Sequence, residues 1–105
     1  MTFNEYQEFV ASIKRYPLEY KMLYPTLGLC GEAGEVAEKV KKHIRDGKKE
    51  NFKETITKEL GDVLWYLSAL AGDLGITLQE VADTNKTKLE ERLKNNTIHG
   101  DGDNR

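Results

Sequence analysis

The chain contains the segment Ile56-Thr-Lys-Glu-Leu-Gly-Asp-Val-Leu-Trp-Tyr-Leu-Ser-Ala-Leu-Ala-Gly-Asp-Leu74, in which apolar side chains recur every three or four residues. This period is typical of a helix with one apolar face, and Gly75 predicts where the helix ends. Two acids, Glu59 and Asp62, lie in the first half of the segment. The sequence therefore predicts a long, strongly apolar helix that carries two carboxylates.

Two earlier segments have the same helical period. The first follows Thr2, a predicted N-cap, and should end near residue 15, because Pro17 cannot continue a helix. The second restarts at Tyr24 and has an apolar stripe as far as Asp46-Gly47, where glycine predicts a helix end. A connection over residues 47–52 should then lead into the long apolar helix.

A fourth helix is predicted after Thr77, which forms a capping-box pattern with Glu80, and should end near Asn95. No strand-like alternation and no internal repeat is present, so the predicted fold class is all-α. One domain should span residues 1–95. Residues 96–105 contain few apolar side chains and are expected to form a flexible C-terminal tail.

Composition excludes several classes of protein. The 105 residues include 16 basic and 18 acidic ones, giving a net charge of -2 and a pI near 5.7, which argues against a dedicated nucleic-acid binder. The single cysteine, Cys30, cannot form an internal disulfide, and the apolar run Val63 to Leu67 is too short to span a bilayer. We therefore expect a soluble, cytoplasmic protein with no membrane partner. Its small core favours a homo-oligomer.

Two pairs of acids carry most of the chemical information. Glu32 and Glu35 are three residues apart in the second predicted helix, as are Glu59 and Asp62 in the third, so each pair leaves one helix face. If the helices are antiparallel, the four carboxylates form an oxygen cage that suits Mg2+, with Mn2+ as a possible substitute. The alternative is that such acids are ordinary surface charges. That alternative is weaker for Asp62, because it lies beside an apolar run and a carboxylate buried there would require a compensating cation.

Each acid pair encloses a glycine, Gly34 in the second helix and Gly61 in the third. Glycine inside a helix costs about 1 kcal/mol relative to alanine, so a compensating role is expected. Close approach of the two helices at the acid cage would supply one. The alternative is that glycine is simply tolerated near a helix end.

The fourth helix offers cations, and the third offers an aromatic side chain. Asn85, Lys88 and Arg92 share one stripe, and an amide with two cations can hold phosphate oxygens. Tyr66 lies one turn after Asp62 and could stack on a nucleobase. Each set has an ordinary alternative, as surface charge for the cations and as core for Tyr66.

Three motifs, taken together, resemble those of the MazG-like all-α nucleoside triphosphate pyrophosphohydrolases. They are Leu27-Gly-Leu-Cys-Gly-Glu-Ala-Gly-Glu-Val-Ala-Glu-Lys39, Glu59-Leu-Gly-Asp-Val-Leu-Trp-Tyr-Leu67 and Asn85-Lys-Thr-Lys-Leu-Glu-Glu-Arg92. The similarity extends from about Tyr24 to Arg92 and keeps the motifs in order.

This resemblance implies a four-helix MazG-like bundle completed by oligomerisation, as a homodimer or tetramer. It implies that Glu32, Glu35, Glu59 and Asp62 bind Mg2+, and that Asn85, Lys88 and Arg92 bind the phosphates of a nucleoside triphosphate. The expected reaction is hydrolysis to the monophosphate and pyrophosphate in a nucleotide-pool or house-cleaning role, with Glu32 or Glu35 as the general base and Tyr66 as a base-binding candidate. The alternatives are a phosphoribosyl-ATP pyrophosphatase and a non-catalytic helical dimer that binds a nucleotide or a partner.

Overall fold

The computed structural model describes residues 1–47 and 50–104, and the helices of this part are four. They are α1 (Phe3–Ile13), α2 (Leu23–Arg45), α3 (Phe52–Asp73) and α4 (Leu78–Lys94), with one 3₁₀ turn at Leu18–Tyr20. No strand occurs among the described residues, so the all-α prediction is confirmed. Lys48 and Lys49 of the predicted connection, and Arg105 of the predicted tail, lie outside the described residues. None of the described helices is long and apolar enough to cross a bilayer.

Helices α1 and α4 begin with the caps that the sequence indicates. Thr2 Oγ1 accepts a hydrogen bond from the Glu5 amide at 3.1 Å, and Glu5 Oε1 accepts one from the Thr2 amide at 2.9 Å. Thr77 and Glu80 form the same reciprocal pair at the start of α4. Each capping box satisfies two amides that would otherwise lack a helical partner, so both starts are encoded locally.

Helices α2 and α3 form an antiparallel hairpin, the largest packing interface of the chain. Near the connection, the rings of His43 and Phe52 stack with centroids 3.7 Å apart. At the other end, the ring of Tyr66 lies against the backbone of Gly28. The end of α2 therefore contacts the start of α3, and the first half of α2 contacts the second half of α3, as an antiparallel pair requires.

The buried core lies where α1 and α4 meet the second half of α3. Its buried apolar side chains are those of Val10, Ala69, Ala71 and Leu78. Gln7 fixes this junction, because its amide donates to the Ile76 carbonyl at 2.9 Å and accepts from the Leu78 amide at 3.1 Å. One side chain of α1 thus satisfies backbone groups at the α3–α4 turn.

Much of the apolar surface predicted to be core is exposed in the single chain. On α2, Leu27 is 63% exposed and Ile44 is 77% exposed, while Leu60 of α3 is 52% exposed. The helical stripes are present as predicted, but the other described helices leave these side chains of the hairpin uncovered. Exposed apolar side chains in this number on two packed helices are typical of a protein interface.

The structure does not bear out the expected close helix approach at Gly34 and Gly61. A methyl group added to either glycine would meet no described atom within 4 Å, so neither position needs a missing side chain within this chain. Close approach occurs instead at Gly28, where a methyl group would collide with the ring of Tyr66. Only at Gly28 does the fold of the described chain demand glycine between the two helices.

Asp73, at the end of α3, holds the connection between α1 and α2. Its carboxylate accepts from Lys14 Nζ at 2.8 Å, from the Tyr16 hydroxyl at 2.7 Å and from the Met22 amide at 2.9 Å. Met22 has φ 67°, a left-handed conformation that is strained for a side chain of this size. The hydrogen bond from its amide to the buried carboxylate helps to stabilise that turn at the start of α2.

Candidate metal centre

The hairpin brings three of the four predicted acids together. Carboxylate oxygens of Glu32 on α2 and of Glu59 and Asp62 on α3 lie within 4.8 Å of one another. Two oxygens on opposite sides of one Mg2+ are about 4.2 Å apart, so small side-chain rotations would allow these acids to share an ion. We call these three residues the acid cluster.

The fourth predicted acid, Glu35, is exposed and does not join the acid cluster. It remains close enough for its charge to contribute to the raised pKa of Glu32. The burial of Asp62 that its apolar neighbours suggested is wrong for the single chain. Asp62 is exposed, whereas Glu32 and Glu59 are half-buried between the helices.

Electrostatic repulsion is the main property of the acid cluster. Burial raises the pKa of Glu32, and the charges of Asp62, Glu59 and Glu35 raise it further. Among the described residues, no lysine or arginine forms an ion pair with any of the three acids. A cluster of carboxylates without a cation favours binding of a hard divalent ion, and its all-oxygen donor set fits Mg2+ or Mn2+.

Two tyrosines lie beside the acid cluster. Burial raises the pKa of Tyr66, with further contributions from Tyr24, Glu32 and Asp62, so its phenol faces the acids. Burial also raises the pKa of Tyr6 on α1, and the charge of Asp62 adds to the shift. The sequence singled out Tyr66 but missed Tyr6, because nothing in the spacing of α1 indicates which residue of α3 it will face.

The residues of the predicted phosphate stripe on α4 have partners other than the acid cluster. Lys88 and Arg92 share one partner, Asp103, while Asn85 lines a groove beside Lys88. Within the described part of the chain, no hydrogen bond or ion pair joins these α4 residues to Glu32, Glu59 or Asp62. Helix α4 packs against α1 and, less extensively, against α3. The cationic and acidic groups of the described chain therefore do not pair with each other.

Comparison with known proteins decides the family. Residues 21–97 match the model of the MazG nucleotide pyrophosphohydrolase domain. The chain belongs to this family. The MazG match includes the acid cluster, Glu35, Tyr66 and the α4 stripe, and it confirms the resemblance drawn from the three motifs.

The chain is also similar to the gene 37 protein of Mycobacterium phage L5, with 46% identity over 86 residues. The aligned region is 78% of this chain and 75% of the phage protein. No solved structure matches the chain. The MazG assignment therefore rests on the family model, and the name of the phage protein says nothing of its activity.

Proposed function

We propose that the chain is a Mg2+-dependent pyrophosphohydrolase that converts a nucleoside or deoxynucleoside triphosphate to the monophosphate and pyrophosphate. The observation that carries this proposal is the acid cluster, in which three carboxylates from two helices meet without a cation among the described residues. Membership of the MazG family supports the same activity. A nucleotide-pool or house-cleaning role in the cytoplasm, where nucleotides are found, follows from such a reaction.

Glu32, Glu59 and Asp62 would hold the divalent ion, which would neutralise triphosphate charge and polarise the α-phosphate. Glu35 lies outside this group and is exposed, so its carboxylate is free to take the proton of a water molecule. The water oxygen forms a bond to the α-phosphorus, while the bond from that phosphorus to the bridging oxygen breaks. Pyrophosphate leaves, and Glu35 retains the proton until it is released to solvent.

Two other groups are proposed to bind the substrate. Asn85, Lys88 and Arg92 would hold the phosphates, and the phenol ring of Tyr66 would contact the base, since it is fixed against Gly28 beside Glu32. Because no hydrogen bond or ion pair joins the α4 cations to the acid cluster among the described residues, we propose that a second copy completes the site. That copy would also cover exposed apolar side chains such as Leu27 and Leu60.

The test of this function is a panel of nucleoside and deoxynucleoside triphosphates, together with phosphoribosyl-ATP, incubated with purified protein and Mg2+. Pyrophosphate release that requires Mg2+ and is lost in Asp62→Asn supports the proposal. Turnover of phosphoribosyl-ATP alone would identify the alternative pyrophosphatase. Absence of pyrophosphate with every substrate would favour a non-catalytic nucleotide-binding module.

The separate roles of Glu35 and Glu32 have their own test. Glu35→Gln should lower kcat while Mg2+ affinity is retained, whereas Glu32→Gln should lower both. Glu38→Gln is the matched control, because Glu38 lies one turn further along α2 and pairs with Lys41 in solvent. Equal loss of Mg2+ affinity in Glu35→Gln and Glu32→Gln would make Glu35 a metal ligand instead of the base.

A further inference from the structure

Residues 96–104, which we call the tail segment, fold back onto α4. Lys88 Nζ lies 3.1 Å from Asp103 Oδ1, and Arg92 Nη2 lies 3.4 Å from the same oxygen. Arg92 Nη2 also donates to the carbonyls of Gly102 at 3.2 Å and Asp103 at 3.1 Å. A carboxylate of the chain itself therefore sits on the two cations that are proposed to hold phosphate.

The two sides of this contact differ in exposure. The side chain of Arg92 is only 7% exposed and that of Lys88 is 34% exposed, whereas that of Asp103 is 82% exposed. Arg92 Nε is buried and has no hydrogen-bond partner among the described residues. Both cations are thus more buried than the carboxylate, which approaches from solvent and leaves Arg92 Nε without a partner among the described residues.

We propose that the Asp103 carboxylate is an internal competitor for substrate phosphate, and that a triphosphate must displace the tail segment from Lys88 and Arg92 before it binds. This inference rests on the proposed role of these two cations. It makes the tail segment an autoinhibitory contact that raises the substrate concentration the protein requires. Because the contact is broken once phosphate is bound, it should act on KM and leave kcat unchanged.

The chemistry of the two anions favours exchange. Asp103 offers one charge, and its Oδ1 is shared between Lys88 and Arg92. A triphosphate carries several charges and enough oxygens to give each cation its own acceptor. Hydrogen bonds from Lys88 and then Arg92 hold the pKa of Asp103 below its usual value, so this competitor is ionised at neutral pH.

The test is the affinity of the full chain for inorganic tripolyphosphate, measured by isothermal titration calorimetry in the presence of EDTA. Asp103→Ala should bind tripolyphosphate about two- to fivefold more tightly than the unchanged chain, since an exposed ion pair is a weak competitor. Asp103→Glu keeps the carboxylate and should retain most of the inhibition. Asp101→Ala is the matched control, because it removes the same charge from an exposed residue that contacts neither cation in the described chain.

Tighter binding in Asp103→Ala and not in Asp101→Ala supports the competitor role. Equal affinities in all four proteins, equal gains in both alanine variants, or no tripolyphosphate binding in any of them would overturn it. The assay needs no turnover, so its outcome is separable from that of the proposed function. If the protein hydrolyses triphosphates but Asp103→Ala leaves tripolyphosphate affinity unchanged, only the competitor role is rejected. If Asp103→Ala binds tripolyphosphate more tightly but the protein has no activity, only the proposed hydrolysis is rejected. Melting temperatures of the variants check that each is folded.

Discussion

Asp62 and Asp73 lie on the same helix, eleven residues and therefore roughly 16 Å apart, on the same helical face. Their surroundings differ completely. Asp73 accepts three hydrogen bonds from Lys14, Tyr16 and Met22, whereas Asp62 faces two further carboxylates. The position of an acid on α3 thus does not decide its role. What decides it is whether the elements packed against it bring donors or more acids.

Asp73 contributes to stability, whereas the acid cluster is the candidate functional site. The buried carboxylate of Asp73 joins α3 to the α1–α2 connection, so it contributes to the fold. The acid cluster opposes folding through repulsion, a cost that a bound cation would offset. Changes to the two regions should therefore have opposite consequences for activity and stability.

The largest effect is expected for Asp62→Asn. Loss of this carboxylate should lower Mg2+-dependent turnover by about 100-fold or more, as for removal of other charge-stabilising groups from active sites. The melting temperature should stay the same or rise, because one repulsive charge is gone. Steady-state kinetics and thermal unfolding check both halves. Glu54→Gln, an exposed acid on the same helix, is the control and should change neither; an active Asp62→Asn variant would remove the contrast between the two acids.

Asp73→Asn is the converse change. The amide cannot replace the charge that Lys14 and Tyr16 face, and we expect a loss of about 2 kcal/mol in the free energy of unfolding. For a domain of this size the melting temperature should fall by about 10 °C. Turnover below the melting transition should be retained. A Tm within 2 °C of the unchanged protein, in the same assay, would show that Asp73 does not hold the fold.

Gly28→Ala tests how Tyr66 is fixed beside the acid cluster. The added methyl group collides with the Tyr66 ring, so the variant should lose about 1 to 2 kcal/mol of stability and change its preference among bases. Mg2+ dependence should be kept. In the Tyr66→Ala background the same change should cost less, and a double-mutant cycle measures that coupling. Additive effects would mean that the ring and Gly28 act independently.

The smallest expected effect is on the pH dependence of stability. The pKa of Asp73 is lowered because its hydrogen bonds outweigh burial, so its contribution is full above the unfolded pKa of an aspartate and is lost as pH falls through the folded value. The pKa of Glu32 is raised, so its ionisation lowers stability as pH rises from the unfolded value to the folded one. Denaturant titrations between about pH 3 and pH 7 give the free energy of unfolding as a function of pH. Asp73→Asn should weaken the loss of stability at acid pH, while Glu32→Gln should remove the decrease in stability at higher pH.

The local features of the fold were predictable from sequence, and the long-range ones were not. The capping boxes at Thr2 and Thr77 each involve residues three apart, and helical spacing alone placed the acid pairs on their faces. Asp73 pairs with Lys14 across 59 residues, a relation that no periodicity records. Such a partner becomes visible only when the chain is folded.

For the candidate site too, the residues on each helix were predictable from sequence, but the contacts between distant segments were not. Spacing brought Glu32, Glu35, Glu59 and Asp62 into one hypothesis. The structure groups three of these acids and leaves Glu35 outside the group. Spacing could not show that Gly28, and not Gly34 or Gly61, meets an aromatic ring, because the register of α2 against α3 depends on packing along the whole hairpin. Nor could it show that Asp103 would meet Lys88, since the tail segment has no pattern of its own.

Mg2+ affinity tests the central claim most directly, because it asks whether the acid cluster is a metal site without reference to any substrate. Calorimetric titration of the purified chain should show saturable binding of Mg2+. Affinity should fall by at least about tenfold in Asp62→Asn and remain unchanged in Glu54→Gln. Equal Mg2+ affinity in the unchanged chain and in Asp62→Asn would contradict the assignment of these carboxylates to a metal.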